Sequence, residues 1–132
     1  MAITGGCRCH AVRYSIEGEP DHHALCVCDQ CRHSSGAWMV GWALFDRSAV
    51  SVTGETTRHN SSGDAVREFC PVCGTGLFYT SESVFPGKVD VQTATFDDPD
   101  AVTPQAVIQV ADAPAWLAQT SALPQFQRYP GQ

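Results

Sequence analysis

Seven cysteines carry most of the chemistry this 132-residue chain can do, and all of them fall into three short groups. Cys7-Arg8-Cys9 comes first, then Cys26-Val27-Cys28-Asp29-Gln30-Cys31, then Cys70-Pro71-Val72-Cys73. A cysteine used simply as a small apolar side chain has no reason to cluster in this way. Disulfides are the competing use. Their number would leave one cysteine over, and the two sulfurs of a C-x-C pair are poorly placed to bridge each other. A redox C-x-x-C at Cys70/Cys73 would sit beside a βαβ pattern, and none flanks it. Metal binding is the use that accounts for every cysteine.

Zinc takes four ligands in a tetrahedron, and structural sites combine two short ligand pairs from distant parts of a chain. Cys7/Cys9 with Cys70/Cys73 is the natural combination and predicts a closed, structural zinc site. Pro71 presets a turn between the second pair, and Gly74 permits a positive φ just after Cys73. Gly5 and Gly6 give the chain room as it approaches Cys7. Metal binding at such a site is folding energy, on the order of 10 kcal/mol in small zinc domains. Cys26, Cys28 and Cys31 remain, three ligands from one short segment. Three protein ligands and one open position is the arrangement of catalytic zinc. His22, His23 and His33 lie close enough in sequence that a histidine closing the site is the alternative.

The elements that must position these ligands read as mostly β. Residues 12–16 alternate weakly, 38–45 form an apolar run consistent with a buried strand, and 49–53 alternate up to Gly54. Strands are also predicted over 66–69, leading into Cys70, over 76–80, leaving Cys73, over 88–96 and over 107–110. Asp97-Asp98-Pro99-Asp100 is a strong turn signal. Helix is expected over 29–35 and 113–119, and the tail from 123 to 132, with two prolines, as an extended segment. With no repeat, low-complexity tract or linker, one mainly β, zinc-stabilised domain over residues 1–132 is expected.

Composition limits the partners. Apolar residues make up 43 % of the chain and charged residues 17 %, a globular balance. A net charge of −6, with scattered basic residues, argues against nucleic acid, which needs clustered Lys and Arg. The first residues show no basic cluster followed by an apolar core, and the longest apolar run is far short of the roughly 20 residues a membrane span needs. A cytoplasmic protein with neither nucleic-acid nor membrane partners is expected.

Three stretches together resemble a known family, the glutathione-dependent formaldehyde-activating enzymes, which also includes centromere protein V. They are Gly5-Gly6-Cys7-Arg8-Cys9 with Val12-Arg13-Tyr14, Cys26 through Arg32, and Phe69-Cys70-Pro71-Val72-Cys73-Gly74-Thr75-Gly76-Leu77-Phe78. Phe96-Asp97-Asp98-Pro99, Pro104 and Trp116 extend the likeness. The resemblance implies a β-tent fold with two zinc ions. It assigns Cys7, Cys9, Cys70 and Cys73 to the structural ion, and Cys26, Cys28 and Cys31 to the catalytic one. It implies carbon–sulfur lyase chemistry, joining glutathione to formaldehyde as S-hydroxymethylglutathione. Two residues depart from the family pattern. His10 stands where Gly is usual, and Val27 stands where His is frequent, which removes a polar group beside the second cysteine set.

Around that set, Arg32 is a candidate receiver for a substrate carboxylate, His33 is the nearest histidine, and Trp38 and Trp42 are candidate pocket walls or core. A non-catalytic zinc module and a redox- or metal-sensing protein are the alternative readings. The first requires a filled fourth position, the second a labile three-cysteine site.

Overall fold

The computed structural model describes residues 2–131. Met1 and Gln132, the ends of the expected domain span and tail, lie outside the described residues. Among the described residues, ten strands and one α-helix follow the chain. The first half carries β1 (Ile3–Gly6), β2 (Arg13–Ile16), β3 (His22–Cys26), α1 (Asp29–Ser35), β4 (Val40–Asp46) and β5 (Val50–Thr53). The second carries β6 (Thr57–Ser62), β7 (Ala65–Phe69), β8 (Gly76–Thr80), β9 (Lys88–Gln92) and β10 (Ala106–Ile108).

The strands form two open sheets. A three-stranded antiparallel sheet has the order β1-β2-β5, and a seven-stranded sheet has the order β10-β3-β4-β9-β8-β7-β6. β10 runs parallel to β3, and the other pairings are antiparallel. This is the mainly β architecture expected from the β-tent resemblance. Period-two alternation then splits the large sheet into two environments. Ala43, Phe45, Val89 and Val91 face the small sheet and bury against Val12, Tyr14 and Ile16. Val40 and Trp42 belong to a separate apolar cluster with Cys26 and Cys31. At about 25 cal/mol per Å² of apolar surface, the first cluster is the principal source of hydrophobic stabilisation.

Several expected elements shift. The strand expected over 38–45 begins at Val40, leaving Trp38 45 % exposed and Met39 exposed as well. Trp38 instead meets Trp116 edge to face, with ring centroids 5.0 Å apart. The strand expected over 88–96 stops at Gln92 and tightens into a 3₁₀ turn, Thr93–Thr95. No α-helix forms over the expected 113–119; residues 113–116 are irregular bend and turn, between 3₁₀ segments at Val110–Asp112 and Leu117–Ala122. β3 and β6 carry no alternating apolar signal, and β6 is a polar edge strand held by the bulged hairpin to β7. Gly5 has a different use from the one expected. A Cβ there would collide with the Tyr14 hydroxyl, which bonds Thr95 Oγ1 at 2.7 Å.

Two buried polar groups differ in how they are satisfied. His23 Nδ1 donates to the Val102 carbonyl at 3.1 Å, leaving Nε2 to accept from the Thr93 hydroxyl at 2.9 Å. Burial favours the neutral ring and lowers its pKa. Asp90, on β9, is 7 % exposed, and its Oδ1 has no hydrogen-bond partner. Burial pushes its carboxyl up to about 7. His10 follows Cys9 in the β1–β2 loop with φ +67°, and its N–H bonds the Cys7 carbonyl at 3.2 Å. The left-handed backbone explains why glycine suits this position, since a side chain there is strained.

Two stability measurements follow. Asp90 binds its proton up to about pH 7 in the folded chain and only to about pH 4 when unfolded. Its contribution is therefore fully present below about pH 4 and is lost as pH rises towards 7. Asp90→Asn should be more stable than wild type by roughly 2–4 kcal/mol at pH 8 and similar at pH 4. Urea unfolding of both proteins in excess zinc checks this, and an equal difference at the two pH values contradicts it. His10→Gly should raise stability by about 1 kcal/mol, measured the same way at one pH.

Candidate metal centres and the adjoining cleft

All seven cysteines are free, and the fold gathers them into two clusters. In the first, Cys7 leaves β1, Cys9 lies in the following loop, and Cys70 and Cys73 lie between β7 and β8. Cys7 Sγ is 3.6 Å from Cys9 Sγ, which is 3.8 Å from Cys70 Sγ. Those separations are far beyond the roughly 2.05 Å of a disulfide. They match the roughly 3.8 Å edge of a tetrahedron built on metal–sulfur bonds of about 2.3 Å. The four donors thus fit a zinc ion by spacing and by chemistry.

Local backbone geometry aims N–H donors at two of these sulfurs, Cys7 and Cys70. Gly74 has φ +83°, as the sequence predicted, and lets the chain close a tight turn in which its N–H bonds the Cys70 carbonyl at 2.9 Å. The N–H groups of Val72 and Cys73 then point at Cys70 Sγ, at 3.4 and 3.5 Å. Val12 N–H does the same for Cys7 Sγ at 3.2 Å. The Thr75 hydroxyl accepts from Arg8 N–H at 3.1 Å and donates to Cys73 Sγ at 3.1 Å. That hydroxyl first, then the Thr75 N–H, draws the Cys73 thiol down to about 5.

The second cluster is Cys26, Cys28 and Cys31, with sulfurs within 4.8 Å of one another. Cys26 ends β3, Cys28 caps α1 through a 3.3 Å bond from Cys31 N–H, and Cys31 is the buried residue of α1. Burial pushes the Cys26 thiol up to about 12. Three thiolates here therefore need a cation to coexist, and a soft dication suits the donor set. The candidate histidines do not join them. His22 faces Phe85, His23 is engaged with Thr93 and Val102, and His33 is exposed on α1. Among the described residues no His, Cys, Asp or Glu makes a fourth member. Val27 is 2 % exposed, an apolar core side chain.

The arginine that reaches this cluster is Arg67, from β7, which the sequence reading passed over. Its Nη2 lies 3.7 Å from Cys31 Sγ. Arg32 is engaged elsewhere, paired with Asp29 at 2.9 Å and laid over the Trp38 ring. The signal available was the charged pair Arg67-Glu68 inside the strand expected over 66–69, directly before Cys70. Arg67, Trp42 and Ser35 also line a cleft of about 700 Å³. The Ser35 hydroxyl bonds the Cys31 carbonyl at 2.7 Å, and Trp42 packs with Cys26 and Cys31, so the cleft adjoins the three-cysteine cluster. Ser34, His59, Glu68, Gln92, Thr75 and Thr95 are the other polar residues of its lining, and Thr75 carries it towards the first cluster. Trp42 is thus both core and wall, and Trp38 is neither.

Known proteins resemble the chain in fold and in family. A crystal structure of a Rhodobacter sphaeroides protein superposes with a TM-score of 0.62 at 24 % identity, covering 79 % of this chain and 98 % of that one. That likeness establishes the fold. An uncharacterized lyase of Schizosaccharomyces pombe is 28 % identical over 75 residues, 57 % of this chain. The match spans 55 % of that relative, about half its length. Residues 2–112, which include both cysteine clusters and Arg67, match the glutathione-dependent formaldehyde-activating enzymes, and the chain belongs to that family.

Proposed function

We propose that the chain is a carbon–sulfur lyase of the S-(hydroxymethyl)glutathione synthase type, which joins a thiol, glutathione, to an aldehyde such as formaldehyde. The observation that carries this reading is a three-sulfur cluster, without a fourth protein donor among the described residues, beside a cleft of about 700 Å³. Family membership and the lyase relative support it. On this reading Cys26, Cys28 and Cys31 hold a catalytic zinc, and Cys7, Cys9, Cys70 and Cys73 a structural one. Zinc at the three-cysteine site would supply a lowered pKa to an entering thiol.

The chain's own residues set the conditions for that chemistry. Three thiolate donors leave the site formally anionic, which favours holding sulfur over ionising water. α1 and β3 fix the donors on packed elements, so the site needs little rearrangement when substrate arrives. The thiol sulfur forms its bond to the aldehyde carbon, the carbonyl π pair moves to oxygen, and the thiol proton is balanced by the proton that oxygen takes up. No oxidant is required. The first cluster ties β1 to the β7–β8 turn and thereby holds the small sheet on the large one. We assign the chain to the cytoplasm, where seven free cysteines persist, and treat residues 1–132 as one zinc-stabilised domain.

Two experiments test the assignment. Zinc analysis should give two ions per wild-type chain and one for Cys28→Ser with the fold retained, whereas Cys70→Ser should lose the fold along with metal. Exchange spectroscopy on glutathione–formaldehyde mixtures should show interconversion with S-hydroxymethylglutathione accelerated by wild type and not by Cys28→Ser. An interconversion rate unchanged by the wild-type protein contradicts the enzyme reading.

A further inference from the structure

Arg67 is held from three sides. Its Nε donates to Ser61 Oγ at 3.1 Å, and Nη2 contacts Cys31 Sγ at 3.7 Å. The guanidinium lies over the Tyr79 ring, 5.2 Å from its centroid, and 6.0 Å from that of Trp42. The two rings are themselves 6.0 Å apart. These contacts fix a planar fork whose position is normally costly to order.

What the fork lacks is a carboxylate. Arg13, Arg32, Arg47 and Lys88 each pair with Asp or Glu; Arg67 has no such partner among the described residues and, unlike the equally unpaired Arg8, Arg58 and Arg128, is half-buried. The nearest acidic residue in sequence, Glu68, accepts from the Thr56 hydroxyl at 2.6 Å instead. Nη1 therefore keeps its two N–H donors on a side chain that lines the cleft. A half-buried cation without an anionic partner is unfavourable, and the Cys31 sulfur offsets it on one side only.

We propose that Arg67 receives the carboxylate of the incoming thiol, so that the cleft selects carboxylate-bearing thiols over neutral and cationic ones. The inference rests on the thiol-binding reading above. Because Nη2 touches Cys31 Sγ and Nη1 has no partner among the described residues, a single small molecule can reach the three-cysteine cluster with its sulfur and Arg67 with its carboxylate. The N–H donors of Nη1 match a carboxylate in charge and in hydrogen bonding. Gln92 and His59, which pairs with Arg67 in the β6–β7 register, add polar groups to the same wall.

The test compares three thiols of similar size, 3-mercaptopropionate, 2-mercaptoethanol and cysteamine, by calorimetric titration of the zinc-loaded protein. Wild type should bind 3-mercaptopropionate about 10- to 100-fold more tightly than 2-mercaptoethanol, and cysteamine most weakly. Arg67→Met should abolish that preference while keeping its zinc and its affinity for 2-mercaptoethanol. Arg67→Lys should keep part of it, through charge without the fork. Equal wild-type affinities for the three thiols, or a preference that survives Arg67→Met, overturns the assignment of Arg67 and leaves thiol binding intact. Zinc-loaded protein that binds no thiol overturns the thiol-binding reading and this inference together.

Discussion

Thiolates repel one another, and this fold brings seven cysteine sulfurs into two groups, the three of the smaller one within 4.8 Å of one another. Such crowding is stable only if the protons remain or a cation replaces them. The backbone favours the second outcome at the first cluster, where N–H groups from Val12, Val72 and Cys73 aim at sulfur. Much of the architecture follows. Joining the β1–β2 loop to the β7–β8 turn fixes one end of the small sheet against the large one. The Arg13–Asp97 ion pair and the Thr4 hydroxyl bond to Asp97 hold that region from another side. The apolar contacts of Tyr14, Phe45, Phe78 and Val91 then fill the space between the sheets.

The two faces of the large sheet divide the work. The inner face builds the core, and the outer face carries Trp42 and Cys26 against Cys31 of α1. Placing one cluster on each side of the molecule's main layer separates the set that ties loops together from the set that meets a cleft. Arg67 belongs to the second environment and links it to the cleft wall. Asp90, also off the inner face by strand alternation, shows that this side tolerates an unpaired buried carboxyl. His23, by contrast, has both ring nitrogens bonded, which is how a histidine close to the cysteines in sequence comes to be a core residue.

The cysteine groups were legible in the sequence because ligand spacing is local: a C-x-C, a C-x-C-x-x-C and a C-x-x-C each declare themselves. The helix over 29–35, the turn at Gly74 and most of the central strands were legible for the same reason. β3 and β6 were not, because β3 begins with two histidines and β6 is a polar edge whose pairing comes from its neighbour. Trp38 was misplaced because an apolar run does not reveal which end of it leaves the sheet. Arg67 was missed because its meaning depends on Cys31, 36 positions away in sequence, arriving beside it. His10 was noticed as a departure from a glycine, and the positive φ supplies the physical reason.

The fold gathers one set of four sulfurs and one set of three. X-ray absorption at the zinc edge measures the average sulfur count per metal directly. It should lie between three and four in thiol-free protein and rise to four when glutathione is added. Four sulfurs per zinc from the outset, or a count that glutathione leaves unchanged, would contradict an open three-cysteine site.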